Sequence, residues 1–379
     1  MPKLFGKRSK PPALAAGRVF EVTSSEIGGS TTLLSNSSSD APEDSHADSE
    51  EALVLALKDQ VGDLDVAQSY TNKLRDRTGG PPSKELGHCV VRAAEAGALE
   101  ALVAAMAAHA YDAAVQDAGL EAVRNLTRVV MPPATTFIRP RALSAGVVEA
   151  AVGAMGAVGL TGLCTACSLL INLTVADDDT SDAAVKRAAD AGAVAAIVRA
   201  LRDHGGDQQL SEKGAGAIGN LCSHADAEVL SKLKDGAVDA GAVEALVKAL
   251  STHPTAADVG TAVVKALANL AMPPASAAQL GAQIAAAAPA ALVQSAGRHA
   301  AEEELIDYTI LALDALADGG PVAVRDAGAR GVVEGAIKRF ATNEDIMDQS
   351  RSLMQKIGLG SAMDANKGGP VAGPGEFRL

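Results

Sequence analysis

A phrase of eleven residues returns along this chain at a near-constant interval, and it constrains the fold before composition is considered. It reads AGALEALVAAM from Ala96, AGVVEAAVGAM from Ala145, AGAVAAIVRAL from Ala191 and AGAVEALVKAL from Ala240. Weaker copies start at Ala287 (AAPAALVQSA) and Arg330 (RGVVEGAIKRF). The leading glycine falls at Gly97, Gly146, Gly192, Gly241 and Gly331, with Ala287 once in its place, so the spacings are 49, 46, 49, 46 and 44. The fragment EALVLAL at Glu51–Leu57 sits 49 residues before its counterpart and suggests a degenerate first copy. A period in the forties means stacked supersecondary units, each too small to bury its own apolar face.

A second phrase keeps step with the first. It reads VRNLT (Val123–Thr127), LINLT (Leu170–Thr174), IGNLC (Ile218–Cys222) and LANLA (Leu267–Ala271). Its Asn lies 28, 26, 28 and 28 residues after the glycine of the same unit. An Ala-rich chain produces chance self-similarity, but not a phased Asn-Leu.

Each unit reads as three helices. A short first helix precedes the glycine, as over Lys84–Ala96. The glycine stops it, because glycine accepts positive φ without a Cβ clash. A second helix follows, such as Ala242–Leu250, with Val243, Leu246, Val247 and Leu250 in the i, i+3, i+4, i+7 pattern of an amphipathic helix. A third and longer helix carries the Asn-Leu, as over Asp258–Ala271.

These phrases resemble armadillo repeats. The resemblance covers about four-fifths of the chain and implies an all-α, right-handed α-solenoid of six to seven three-helix repeats over residues 50–358. Residues 1–49 run from a basic arm into a Ser-rich, acidic stretch, and residues 359–379 form a Gly/Pro tail. Both read as disordered on composition.

Composition removes several function classes. Aromatic residues are 2% of the chain and Trp is absent, which argues against sites built on ring stacking. The net charge of −13 is the wrong sign for a nucleic-acid binder. Four Cys in 379 residues are too few for a disulfide scaffold. The first twenty residues lack the apolar core of a signal peptide. The long uncharged stretches 150–176 and 266–297 are Ala- and Gly-rich, so buried helical layers explain them better than membrane spans. The expected location is the cytoplasm, with the nucleus as the alternative.

Chemical motifs are sparse. Cys164-Thr-Ala-Cys167 is a CxxC, but Cys222 and His224 fall too far along the equivalent helix to complete a zinc site. Gly214-Ala-Gly216-Ala-Ile-Gly219 matches GxGxxG, yet it lies within a third helix with no strand before it. The spacing of the His, Ser and acidic residues suggests no catalytic constellation. We therefore expect neither an enzyme nor a metal, cofactor or small-molecule site.

The Asn series carries the functional expectation. The resemblance implies that third helices line a concave groove in which Asn side chains bind the backbone of an extended peptide. An amide suits that role, since it offers both a donor and an acceptor. The candidate residues are Asn125, Asn172, Asn220 and Asn269 as backbone clamps, with Arg124 and Lys265 facing acidic side chains of the ligand. The alternative for each Asn is a hydrogen bond within the solenoid itself. The nuclear-import members of the family carry Trp four residues before each Asn. Here Glu121, Ser168, Gly216 and Lys265 stand there, and the last two units replace the Asn by Ala315 and, close to its place, Lys356. The resemblance thus implies a protein-interaction scaffold or adaptor, with a nuclear or organellar transport receptor and a passive cytoskeletal or ciliary component as alternatives.

Overall fold

The computed structural model describes residues 49–359 except 82, 129–133, 176–177, 224–225 and 273–277; the side chains of 134–136 and 278–285 are also outside the description. The expected terminal arms, 1–49 and 359–379, lie almost wholly outside the described residues, as does His224. The described residues form 19 α-helices and no strand.

The helices fall into seven repeats. The first contains α1 (Glu50–Asp59) and α2 (Leu64–Thr78). Four full units follow. They are α3 (Lys84–Ala96), α4 (Ala98–Ala108) and α5 (Ala113–Thr127); α6 (Ala134–Ser144), α7 (Val147–Ala154) and α8 (Leu160–Thr174); α9 (Asp179–Asp190), α10 (Ala193–His204) and α11 (Gln208–Leu221); and α12 (Ala227–Ala240), α13 (Ala242–Thr252) and α14 (Ala257–Ala271). The sixth repeat is α15 (Ala278–Arg298) with α16 (Glu303–Ala317). The seventh is α17 (Pro321–Asp326), α18 (Ala329–Arg339) and α19 (Glu344–Lys356).

Local chemistry sets the boundaries. The corner between first and second helices is a left-handed glycine: Gly97, Gly146, Gly192, Gly241 and Gly328 have φ of 95°, 83°, 74°, 72° and 96°. Gly97 and Gly241 each end one helix and begin the next. Four of the seven third helices, α2, α5, α11 and α19, start at side-chain caps, with Asp63, Asp112, Asp207 and Asn343 each accepting from a backbone N–H of the first turn.

Two expectations need correction. The last corner is Gly328, not Gly331, which lies inside α18. Burial fixes this register, because Ala329, Val333 and Ala336 point into the core. Lys356 then takes the place of the ladder Asn directly. The second difference is at Ala287. Without a glycine to adopt positive φ, the corner does not form, and α15 runs unbroken as a single helix of 21 residues.

Third helices α2, α5, α8, α11, α14, α16 and α19 pack on one another in an unbroken series, more closely than the second helices do. The helical layer with the closer spacing is the inside of a curve, so the third helices line the concave side. The Leu of each Asn-Leu turns into the interlayer core: Leu126, Leu173, Leu221 and Leu270 are at most 1% exposed, and each contributes roughly 1.5–3 kcal/mol by burial. The first repeat is tied on by Glu50, buried at the start of α1, which pairs with Arg77 of α2 at 3.4 Å and Arg92 of α3 at 3.0 Å.

Candidate functional site

The row that the four Asn define on the concave layer reads, from first repeat to last, Asp76, Asn125, Asn172, Asn220, Asn269, Ala315 and Lys356. Two of the amides are engaged within the solenoid. Asn125 Nδ2 donates to the Arg75 carbonyl at 3.3 Å, and Asn269 Nδ2 donates to the Gly219 carbonyl at 2.8 Å. Lys356 repeats the bond, donating to the Asp314 carbonyl at 3.0 Å. In all three cases the acceptor is the residue just before the row position of the preceding repeat. The row is therefore partly an inter-repeat staple. Asn125 and Asn269 are buried, at 4% and 8% exposure.

Asn172 and Asn220 differ. Both are half-buried, and neither side-chain amide makes a hydrogen bond among the described residues. They stand on consecutive helices over a neutral floor. Helix α8 carries no charged residue, and Ser168 and Gly216 hold the positions one turn before the two amides. A Cβ at Gly216 would already touch Ile171 Cδ1 at 3.3 Å, so this floor is low and tight.

Charge along the groove changes from end to end. In the first two repeats it is internally paired: Arg75 lies 2.8 Å from Asp76 and 3.9 Å from Glu121, and Arg124 lies 3.6 Å from Glu121. On α11, Glu212 and Lys213 form a buried pair at 2.7 Å. On α14, the Lys265 ammonium lies 5.6 Å from the centre of the Tyr308 ring; burial lowers its pKa, and the nearby Glu304 charge opposes that shift. Of the two cations singled out in the sequence, Arg124 already has a carboxylate and Lys265 has an aromatic face.

The third helices of the last two repeats lean acidic: α16 carries Glu303, Glu304, Asp307 and Asp314 with no base, and α19 carries Glu344, Asp345 and Asp348 against Arg351 and Lys356. Burial pushes the Asp307 carboxyl up to about 6, helped by the negative charges of Asp345, Glu303 and Glu304. Asp307 Oδ1 and Gln349 Oε1 are both buried without a donor. The folded chain thus holds this proton more tightly than the unfolded chain, whose value is near 3.8. The resulting stability is fully present below the unfolded value and is lost as pH rises through about 6. Asp307→Asn should remove this contribution. In thermal melts at pH 5 and pH 7.5, the variant should show a smaller difference between the two than the parent does; an unchanged difference would refute the assignment.

His109, His204 and His253 follow second helices, a place from which an imidazole meets helix C-terminal carbonyls, whereas Arg139 and Lys234 are not marked by their sequence pattern. His109 and His253 cap second helices and place Nε2 against carbonyls of the preceding repeat, Val61 at 2.8 Å and Gly205 at 3.1 Å. His204 and His299 occupy the same corner of their repeats. The signal was available: all four lie twelve residues beyond the corner glycine or, for His299, beyond Ala287. Arg139 and Lys234 share another position, seven residues before the corner, and both reach the C-terminal end of a third helix. Arg139 Nη2 donates to the Leu173 carbonyl at 3.1 Å, and the Lys234 ammonium donates to the Met272 carbonyl.

The remaining motifs are packing features. Cys164, Cys167 and Cys222 are buried, and burial raises their thiol pKa values, to about 11 for Cys164 and about 12 for Cys222. Such thiols are not nucleophiles near neutrality. No cluster of three or more His, Cys, Asp or Glu able to hold a metal occurs among the described residues. The GxGxxG lies inside α11, where a Cβ on Gly214 would meet Leu201 Cδ2 at 2.9 Å. Among the described residues no helix is long and apolar enough to cross a membrane.

The stacked three-helix units and their concave row define an armadillo-type α-solenoid. A solved structure gives the same fold. An engineered protein from a structural-genomics programme superposes with a TM-score of 0.54 at 22% identity, over 81% of this chain and 78% of that one. Two more distant matches are designed armadillo repeat proteins. One, in complex with the peptide (KR)4, has 18% identity, a TM-score of 0.47 and coverage of 81% and 98%. The other, designed for modular peptide recognition, has 19% identity, a TM-score of 0.46 and the same coverage. No protein-family model and no curated protein matches the chain.

Proposed function

We propose that this chain is a non-enzymatic adaptor that binds an extended polypeptide segment along its concave layer, gripped at its backbone by Asn172 and Asn220. The supporting observation is the contrast within the Asn row. Asn125 and Asn269 donate within the solenoid, whereas Asn172 and Asn220 offer half-buried amides to the groove. A half-buried amide that makes no bond within the solenoid is free to serve a ligand, and a peptide N–H and C=O match its acceptor and its donor. Because the floor between these residues carries no charge, recognition there rests on the ligand backbone. Lys265 next along the groove meets an acidic side chain of the ligand, while Arg124, held by Glu121, contributes less. The working location remains the cytoplasm or the nucleus.

The test uses a dodecapeptide selected from a random library on the full chain, with affinity read by fluorescence anisotropy. Replacing Asn172 and Asn220 together by Ala should weaken binding roughly tenfold or more, from two hydrogen bonds of about 0.5–1.5 kcal/mol each. Circular dichroism should be unchanged. Full affinity in that variant would overturn the proposal. Asn269→Ala should instead lower stability by about 1 kcal/mol, because it removes a buried bond between repeats.

A further inference from the structure

On the concave side of the first two repeats one guanidinium is left without a carboxylate. From Val115 to Arg128 the only residues that are not buried are Asp117, Glu121, Arg124 and Arg128. They stand at i, i+4, i+7 and i+11, on the one face that α5 turns to the groove. Glu121 already serves two cations, Arg124 at 3.6 Å and Arg75 at 3.9 Å, and Asp76 serves Arg75 at 2.8 Å. Arg128 is left with the Gly80 carbonyl, to which its Nη2 donates at 2.9 Å. Among the described residues it has no ion pair, and its Nε and Nη1 make no hydrogen bond. Burial, and after it the Arg124 charge one turn back, pulls its pKa below the ordinary arginine value. Three guanidiniums thus share two carboxylates at this end of the groove, in a chain whose net charge is −13.

We infer that Arg128 receives an acidic side chain of the bound segment, so that the ligand carries a carboxylate where it lies over the second repeat. This rests on the concave-layer reading proposed above and adds a charge requirement to it. A guanidinium offers parallel N–H groups that match the two oxygens of a carboxylate. The acids of the same stripe do not compete for the place: Glu121 and Asp117 lie about 10 and 16 Å back along the helix axis. Arg124, one turn from Arg128, adds its field without leaving Glu121. Helix spacing locates the acid in the ligand. Packed helices are about 8–10 Å apart and an extended chain advances about 3.3 Å per residue. The carboxylate therefore stands about three residues from the residue held at Asn172. A lysine or arginine in that position meets the surplus cation and is repelled.

Two synthetic dodecapeptides test this. One has Glu at positions 1, 2, 11 and 12 with Ser, Thr and Val between, and the other has Gln in place of each Glu. Acids at both ends make the result independent of chain direction. Affinity for the full chain is read by fluorescence anisotropy at low salt. The Glu peptide should bind about tenfold more tightly or better. Arg128→Gln should remove about fivefold of that preference and leave the Gln peptide unchanged, and Arg128→Lys, which keeps the charge, should retain part of it. An undiminished preference in Arg128→Gln, with the circular dichroism of the parent, would overturn the inference. Equal affinity of the parent for the two peptides, or none for either, would overturn it too. So would a parent that takes the Glu peptide only after Asp40→Asn, Glu43→Gln, Asp44→Asn and Asp48→Asn, because the site then belongs to the chain's own acidic stretch. The Asn172/Asn220→Ala variant separates the two proposals. If it binds both peptides as the parent does while Arg128→Gln still loses the preference, the backbone clamp fails and the acid site stands.

Discussion

Gly162→Ala should lower the thermal midpoint of this protein by roughly 3–5 °C, the loss expected for about 2–3 kcal/mol of overpacking in a chain of this size. Gly162 lies in the first turn of α8, where a Cβ would fall 2.5 Å from Val158 Cβ and also against Asp117 Oδ1. Val158 belongs to the corner that turns the chain into α8, so it cannot retreat without moving that corner. Asp117 Oδ1 is itself buried without a donor, and burial together with Glu121 raises the pKa of its carboxyl. An added methyl group therefore meets a stiff neighbour and an already uncomfortable one. Gly236 is the control. It lies within α12 with nothing within 4 Å of its missing Cβ. Gly236→Ala should stabilise by about 0.5–1 kcal/mol, because alanine restricts the unfolded chain and favours the helix. A Gly162→Ala midpoint equal to that of the parent would show that the corner yields.

Arg139→Met and Lys234→Met should separate widely, although the two residues hold the same place in different repeats. Arg139 donates to Asp178 at 2.8 Å, to Ser181 Oγ at 2.6 Å and to the Leu173 carbonyl at 3.1 Å. Its removal takes away the donor that ties the end of α8 to the start of α9, leaving the Leu173 carbonyl to Ser181 Oγ alone, and should cost about 2–3 kcal/mol. Lys234 is fully buried, with a single carbonyl acceptor at Met272, and desolvation pulls its pKa down. Methionine fills nearly the same volume and carries no charge to desolvate. We expect Lys234→Met to change stability by less than about 1 kcal/mol, or to raise it. Chemical denaturation of both variants reads the difference directly. Equal losses would mean that the buried ammonium is as well satisfied as the guanidinium.

The helical architecture was legible because its markers are chemically exclusive. Only glycine takes the left-handed corner cheaply, so Gly97, Gly146, Gly192 and Gly241 marked each second helix to the residue. The same exclusivity explains the failures. Where Ala287 replaced the glycine there was no corner to find, and at the last repeat two glycines three residues apart left the register to burial. The Asn row was visible as a period, but its division was not. Asn125 and Asn172 are the same side chain at the same phase, and whether an amide reaches the next carbonyl depends on how closely two helices pack. His109 and His253 were legible as imidazoles placed after second helices to meet helix C-terminal carbonyls; that these carbonyls belong to the preceding repeat was not, because a backbone acceptor leaves no trace in residue type.

The unbroken α15 bears on how the molecule deforms. A solenoid changes curvature by tilting helices about their joints, and five of its units pivot on a left-handed glycine. The sixth lacks that pivot, so its first and second helices move as one rod about 30 Å long, whose one weak point is Pro289, with no N–H to donate. Under load the chain behaves as a compliant coil of repeats two to five, a stiff bar at the sixth, and a short compliant end at the seventh. On the proposed function, widening of the groove should concentrate around Asn172 and Asn220, on the soft side of the bar, while the last two repeats keep their shape.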